Sequence, residues 1–197
     1  GELKTINPGA LNITDTGTYN LSIGTEIAND GDATNNITDT ITLKHKLPRK
    51  LPLPIMTFTD FYQDNLNEIY PDWNEARGEG APMVYKNTDW QGDDHYFSRG
   101  ASVYFTAVGT RDWLVGPIIE ATEHTHISFD AAIYYEDFSS AMGSDDKLAV
   151  MVSTDCGTTW EEAGAIDNNA GLDSVYQHFD FSLSEYAGEH LKIAVYA

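Results

Sequence analysis

Three acids crowd one short loop, Asp89, Asp93 and Asp94 in the run Asp89-Trp90-Gln91-Gly92-Asp93-Asp94. Carboxylates and carbonyls converging from one turn are the hard oxygen donors that a calcium ion takes. The other reading is a solvated acidic turn closed by an Asx hydrogen bond. Asp30-Gly31-Asp32-Ala33-Thr34-Asn35 invites the same comparison, but it lacks the closing Glu of a calcium loop and reads as a turn. His124 and His126 stand two apart and share a face if they lie on a strand. Two imidazoles begin a zinc site but need a third ligand. With no HExxH and no cysteine partner, the pair reads as a polar strand face. The adjacent acids Glu136-Asp137 and Glu161-Glu162 point to opposite faces of a strand, so they do not flank a substrate as a glycosidase pair must. Cys156 has no base near it in sequence and reads as a passive turn residue. There is no Gly-x-Ser-x-Gly, no phosphate loop and no dinucleotide fingerprint. No catalytic residue is expected, and the chain is read as not being an enzyme.

Aromatic side chains are the remaining candidates. Trp73, Tyr85 and Trp90 fall in an irregular stretch, residues 62 to 95, rich in Gly and acids. Exposed rings there would stack on sugar faces or anchor a protein contact. The alternative is that the tryptophans cap the core.

The elements that must carry these groups read as strands. Leu148, Val150 and Val152 alternate along one edge of a strand, Ser153-Thr154-Asp155-Cys156-Gly157 breaks it, and Trp160 returns to apolar surroundings. Asp155 can accept backbone N–H bonds in the turn and Gly157 can take positive φ, so Ser153, Asp155, Gly157 and Trp160 are expected to form a structural turn. Ile127, Phe129, Ala131, Ile133 and Tyr135 alternate; Gln177, Phe179, Phe181 and Leu183 share a face; so do Leu191, Ile193 and Val195. Trp113 to Ile119 is mostly apolar and is interrupted by Gly116-Pro117, as at an edge strand or a bend. Met56 to Phe61 reads as an opening strand. Near the start, Tyr19, Leu21 and Ile23 alternate, and Ile37 to Leu43 alternates again, which predicts a hairpin with a wide loop. Two or three strands do not bury a core alone.

The 197 residues therefore divide into 1–47, a partial Ig-like β segment; 48–54, a Pro-rich linker; and 55–197, a β-sandwich whose last strand is expected to be missing. The fold class is all-β. The formal net charge of −20 argues against nucleic acid and anionic lipid as partners, and no apolar run is long enough to insert in a membrane. A single cysteine leaves no internal disulfide. The abrupt opening on Gly1-Glu2-Leu3 reads as a fragment of something longer.

Five motifs in order carry a resemblance over residues 55–197. They are Met56-Thr57-Phe58-Thr59-Asp60-Phe61, Asp112-Trp113-Leu114-Val115-Gly116-Pro117-Ile118, Ile127-Ser128-Phe129-Asp130-Ala131, the run Asp146 to Trp160, and Leu183-Ser184-Glu185-Tyr186-Ala187-Gly188. Together they resemble the cleaved-adhesin or choice-of-anchor J family, jelly-roll sandwiches related to MAM domains. Residues 1–47, with Gly17-Thr18-Tyr19 and the Asn29 to Asn36 hairpin, resemble the end of a CARDB-like adhesion repeat. The Ser153-x-Asp155-x-Gly157-x-x-Trp160 spacing is also similar to a sialidase Asp box. One copy, and arginines scattered at Arg49, Arg77, Arg99 and Arg111, do not make a sialidase.

The jelly-roll resemblance implies a structural calcium ion near the opening strand, which adds Asp60 and Asp130 to Asp89, Asp93 and Asp94 as metal candidates. It implies a non-catalytic adhesion or carbohydrate-binding module of a large secreted or cell-surface bacterial protein. Its partners would be glycans, surface proteins or other domains of the same chain. The alternative is a spacer that positions a catalytic domain elsewhere in the parent chain.

Overall fold

The computed structural model describes residues 12–24, 31, 36–58, 66–80, 82–84, 88–93, 100–103, 111–133 and 142–197. The chain forms two compact units, Gly1–Leu47 and Pro48–Ala197.

In the first unit, β1 (Gly17–Leu21) pairs antiparallel with β2 (Ile41–His45), opposing Tyr19 to Leu43 and Leu21 to Ile41. Alternation predicts this face, because residues two apart on each strand project the same way. The ribbon continues past β1 through Thr38 N–H to Ile23 O at 2.9 Å and a bridge between Gly24 and Ile37. Ile23, Ile37 and Ile41 stay more than half exposed, as expected of a ribbon with no second layer in the described residues.

The second unit is built on a six-stranded sheet. Its strands are β3 (Asn74–Arg77), β4 (Met83–Val84), β7 (Asp112–Glu120), β9 (Lys147–Ser153), β10 (Glu161–Asp167) and β12 (His190–Tyr196). The order is β10-β9-β12-β7-β3-β4, with every pair antiparallel. Two shorter pairs accompany it: β5 (Trp90–Asp93) with β6 (Gly100–Val103), and β8 (His126–Ala131) with β11 (Gln177–Ser182). One short helix, α1 (Leu66–Ile69), leads into β3. The unit is all-β, as the alternation predicts.

The core lies between the large sheet and the two small pairs. Ile119, Val152, Leu191 and Ile193 pack with Leu183 and Ile127, and Ile166 and Leu148 pack with Phe129, Phe179 and Phe181. At the other end, Leu114, Leu148 and Val195 pack with Leu66, Trp90, Ala101 and Val103. The paired sets arise because β9 and β12 each turn every second residue inward, and the register sets Ile193 opposite Val152 and Val195 opposite Val150. The layering is that of a β-sandwich.

Two expectations change and a third is decided between its alternatives. Residues 56–58 are not a strand: Phe58 takes φ 55°, outside the extended region. Its ring meets Tyr70 and Trp73 edge-on at 5.6 and 5.0 Å, which holds the chain in that bend. The Pro-rich segment divides from the first unit at Leu47 and belongs to the second, where Arg49 N–H bonds Ile118 O at 2.7 Å and Leu53 packs on the core. Of the edge strand or bend expected at Gly116-Pro117, the bend is what forms, in an interior strand. The β7–β12 register slips by one residue between Val115 and Ile118, and β3 pairs only as far as Val115, so the proline's missing N–H falls at a bulge. Gly116 is required there. A Cβ would stand 2.9 Å from Ile193 Cγ1 and 3.1 Å from the Trp73 ring.

β12 is paired on both sides, by β9 and β7.

Candidate functional site

The acid-rich end of the sheet is organised by charge. Asp112 opens β7 and is 1 % exposed. Arg77, opposite it in register, donates to both its oxygens, Nε to Oδ1 at 2.6 Å and Nη2 to Oδ2 at 2.8 Å. The Asp89 N–H also donates to Asp112 Oδ2, at 2.5 Å, and the Asp89 carboxylate faces Arg77 at 3.3 Å. Buried Glu75 accepts from Thr88 Oγ1 at 2.5 Å and from Leu66 N–H at 3.3 Å, tying α1 and the Asp89 loop to β3. These bonds satisfy carboxylates that would otherwise be costly to bury.

The expected metal residues are thus distributed. Asp89 is engaged by Arg77. Asp130, on the outward face of β8, accepts from His178 Nδ1 at 2.8 Å. The backbone of Asp93 lies in β5, while its side chain, Asp60 and Asp94 lie outside the described residues. Among the described residues, no group of three or more His, Cys, Asp or Glu is arranged to hold a metal.

Of the expected aromatic ligands, Trp90 is 7 % exposed and belongs to the core around Leu66 and Leu114; Trp73 is half-buried against the same cluster. Trp90 therefore serves packing at its position, since a stacking platform must offer its face to solvent. Tyr85 lies outside the described residues.

A different set of aromatics lies on the opposite, outer face of the large sheet. Trp113 on β7, Tyr196 on β12 and Met151 on β9 project there, with Ala76, Val115, Ala194 and Trp160. Trp113 is buried, its Nε1–H held by Gly78 O at 2.8 Å. Tyr196 and Trp160 lean on it, with ring centroids 4.7 and 5.4 Å away and planes tilted by 54° and 51°. Trp160, Tyr196 and Met151 are each only half-buried. Lys147 stands over the Tyr196 ring at 5.8 Å and pairs with Glu162 at 2.5 Å. The sequence signal for this face is Trp113-Leu114-Val115. Three large apolar residues in a row on a strand mean that both faces are apolar.

The β9–β10 turn sets one edge of this surface. Asp155 Oδ1 accepts from Ser153 Oγ at 2.8 Å, Thr158 N–H at 3.0 Å and Thr159 N–H at 2.8 Å, and its Oδ2 accepts from Thr159 Oγ1 at 2.7 Å. Cys156 and Gly157 both take positive φ, 63° and 96°, the left-handed step that Gly tolerates best. Gly157 O then accepts from Trp160 Nε1 at 3.2 Å, and the Lys192 side chain lies along the turn. The turn thereby aims the Trp160 indole at Trp113.

Those bonds, led by Thr159 and followed by Ser153, hold the Asp155 carboxyl at about 2, below its usual 3.8. A depressed carboxylate contributes stability that is complete above the unfolded value and is lost as pH falls through the folded one. Asp155→Ala should lower the melting temperature at pH 7 by at least about 2 °C, the scale of losing a capping side chain. The difference from wild type should shrink between about pH 4 and pH 2. A pH-independent difference, or none, would show that the ionised carboxylate does not hold the turn.

No protein-family model matches this chain, no curated protein matches it, and no solved structure matches it, so the reading of the site rests on its own residues and geometry.

Proposed function

We propose that the second unit is a non-catalytic adhesion or carbohydrate-binding module of a secreted or cell-surface protein. Its ligand would lie against the outer face formed by Trp160, Tyr196 and Met151. The observation that carries this reading is the half-exposed pair Trp160 and Tyr196 seated on buried Trp113. Rings fixed by a buried partner stack on a sugar face with little ordering cost. Lys147 and Glu162 offset each other at the rim, and Lys192 adds one cation beside the turn. This surface is thus closer to neutral than a chain of net charge −20 as a whole. The order of the five motifs supports a MAM-like jelly roll in which the two small pairs belong to one second sheet, and Gly17-Thr18-Tyr19 with the Asn29 to Asn36 run supports a CARDB-like origin for the first unit.

Calcium is part of the proposal as a structural ion on the acid-rich loop. It centres on Asp93 and Asp94, because Asp89 faces Arg77 and Asp130 faces His178.

A panel of neutral polysaccharides, probed with and without calcium, tests the reading. Binding is expected, weakened about tenfold or more by Tyr196→Ser or Trp160→Ala at temperatures where each variant is folded. The melting temperature should rise with calcium and fall with chelator. Absence of binding to any glycan, or binding indifferent to both substitutions, leaves the spacer reading in its place.

A further inference from the structure

We infer that the outer aromatic face selects sugars bearing an anionic substituent, a carboxylate or a sulfate ester, and that Lys192 is the residue that selects them. This rests on the reading of that face as a carbohydrate site and adds the class of sugar. β12 sorts its side chains by alternation. Leu191 and Ile193 are buried in the core, while Ala194 and Tyr196 pack with Trp113 on the outer side. The pairing of β12 with β9 runs without a slip from Lys192, opposite Ser153, to Tyr196, opposite Ala149. Lys192 therefore leaves on the outer side with Ala194 and Tyr196.

The β9–β10 turn brings the lysine head to the tryptophan. Lys192 Cδ and Nζ both lie 3.4 Å from the point where a Cβ on Gly157 would stand, and Trp160 Cζ2 lies 3.4 Å from the same point. The ammonium is thus beside the edge of the indole's six-membered ring, and residue 157, at φ 96°, puts no side chain there. Trp160 Nε1–H is engaged by Gly157 O at 3.2 Å, so the indole presents its ring to a ligand rather than a donor.

The charge of Lys192 is not matched by a neighbour. In the large sheet Arg77 is paired with Asp112 and Lys147 with Glu162, whereas Lys192 has no ion-pair partner among the described residues. Asp155, in the adjacent turn, accepts instead from Ser153, Thr158 and Thr159. Glu120 opposes His190, which is further from Tyr196 along β12 than Lys192 is. With 31 acids and only 11 Lys and Arg in the chain, this leaves one uncompensated cation next to the half-exposed rings. An ammonium is a point charge with three donors, so it takes a carboxylate or a sulfate oxygen without a fixed approach.

Oligosaccharides from konjac glucomannan, guar galactomannan and pullulan test the inference. Each is compared with its C6-oxidised form, which carries carboxylates on the same backbone, and with its 6-O-sulfated form. The full chain is titrated at about 0.15 M salt, where the Debye length is about 8 Å and repulsion from distant acids is largely screened. The anionic form of a bound oligosaccharide should bind about three- to tenfold tighter than its neutral parent, the scale of one partly exposed charged contact. Lys192→Met, which keeps an apolar stem, should bring the two forms to equal affinity. Lys192→Arg should retain the preference, which a stem that merely packs on the turn would not explain. A gain with the oxidised form alone assigns a carboxylate, and a gain with the sulfated form alone assigns a sulfate ester. Neutral forms bound through Tyr196 with anionic forms no tighter, or a preference that survives Lys192→Met, overturns the inference and leaves the carbohydrate reading standing. No binding of any form, or binding indifferent to Tyr196→Ser, overturns both.

Discussion

Arg77→Met lowers the stability of the second unit by about 3–5 kcal/mol, the scale of stripping one partner from a buried ion pair. Asp112→Asn costs less. The asymmetry follows from burial. The Asp112 carboxylate is 1 % exposed, so without Arg77 it is left buried with the Asp89 N–H as the donor to its side chain among the described residues. Arg77 is 33 % exposed, so without Asp112 it reaches water and keeps Asp89 at 3.3 Å. The pair also ends the sheet. Asp112 and Ala197 exchange backbone bonds of 3.0 and 2.9 Å, so misplacing Asp112 loosens the last rung of β7 on β12. Denaturant melts of the two variants compare the costs directly. Equal losses, or an Arg77→Met loss under about 1 kcal/mol, would mean that the carboxylate is solvated in solution and that the pair is a surface bridge.

Gly164→Ala destabilises by about 1–3 kcal/mol, the cost of overfilling a packed core. A Cβ at this position would lie 2.2 Å from Phe181 Cδ1 and 2.6 Å from Cε1, closer than any unshifted contact. The ring has little room to retreat, because Phe181 packs on Phe129 with centroids 5.8 Å apart. The position reports on the architecture, since Gly164 is on β10 and Phe181 on β11. Their contact is where the small β8–β11 pair seats on the large sheet. Phe181→Leu in the Gly164→Ala background should recover part of the loss, giving a coupling energy of about 0.5 kcal/mol or more. If the double variant shows only the sum of the single losses, the two layers do not meet at this point.

Much of the scaffold was legible because each strand concerned has one buried face. Leu148, Val150 and Val152, Ile127 and Phe129, Phe179 and Phe181, and Leu191, Ile193 and Val195 all occupy the faces that alternation assigned them. Period two is a local property of the extended chain and needs no partner to be read. The β9–β10 turn was legible for a similar reason: every bond Asp155 makes is within four residues. Where the controlling contact is distant, local reading failed or stopped at alternatives. Phe58 lies in a strand-like run, yet its bend is held by Tyr70 and Trp73. Pro117 signals an edge or a bend, and only the β7–β12 register decides for a bend inside the sheet. Trp90 reads as either a loop aromatic or a core cap, and only Leu66 and Leu114, which enclose it, decide for the core.

The candidate sites divide in the same way. The sequence by itself determined which residue types are available: a chain rich in acids, a His-x-His pair, a turn that must be built around Asp155 and Gly157, and strands with defined inner faces. Only the tertiary structure decided their company. It set Arg77 against Asp112, 35 residues away, and Asp180 against His126, 54 residues away. It also gathered Trp113, Trp160 and Tyr196 from three parts of the chain onto one outer face. The physical reason is register. Side-chain direction along a strand follows from the backbone alone, whereas which residue stands opposite depends on how whole strands align, and that alignment is settled by burying all the inner faces at once.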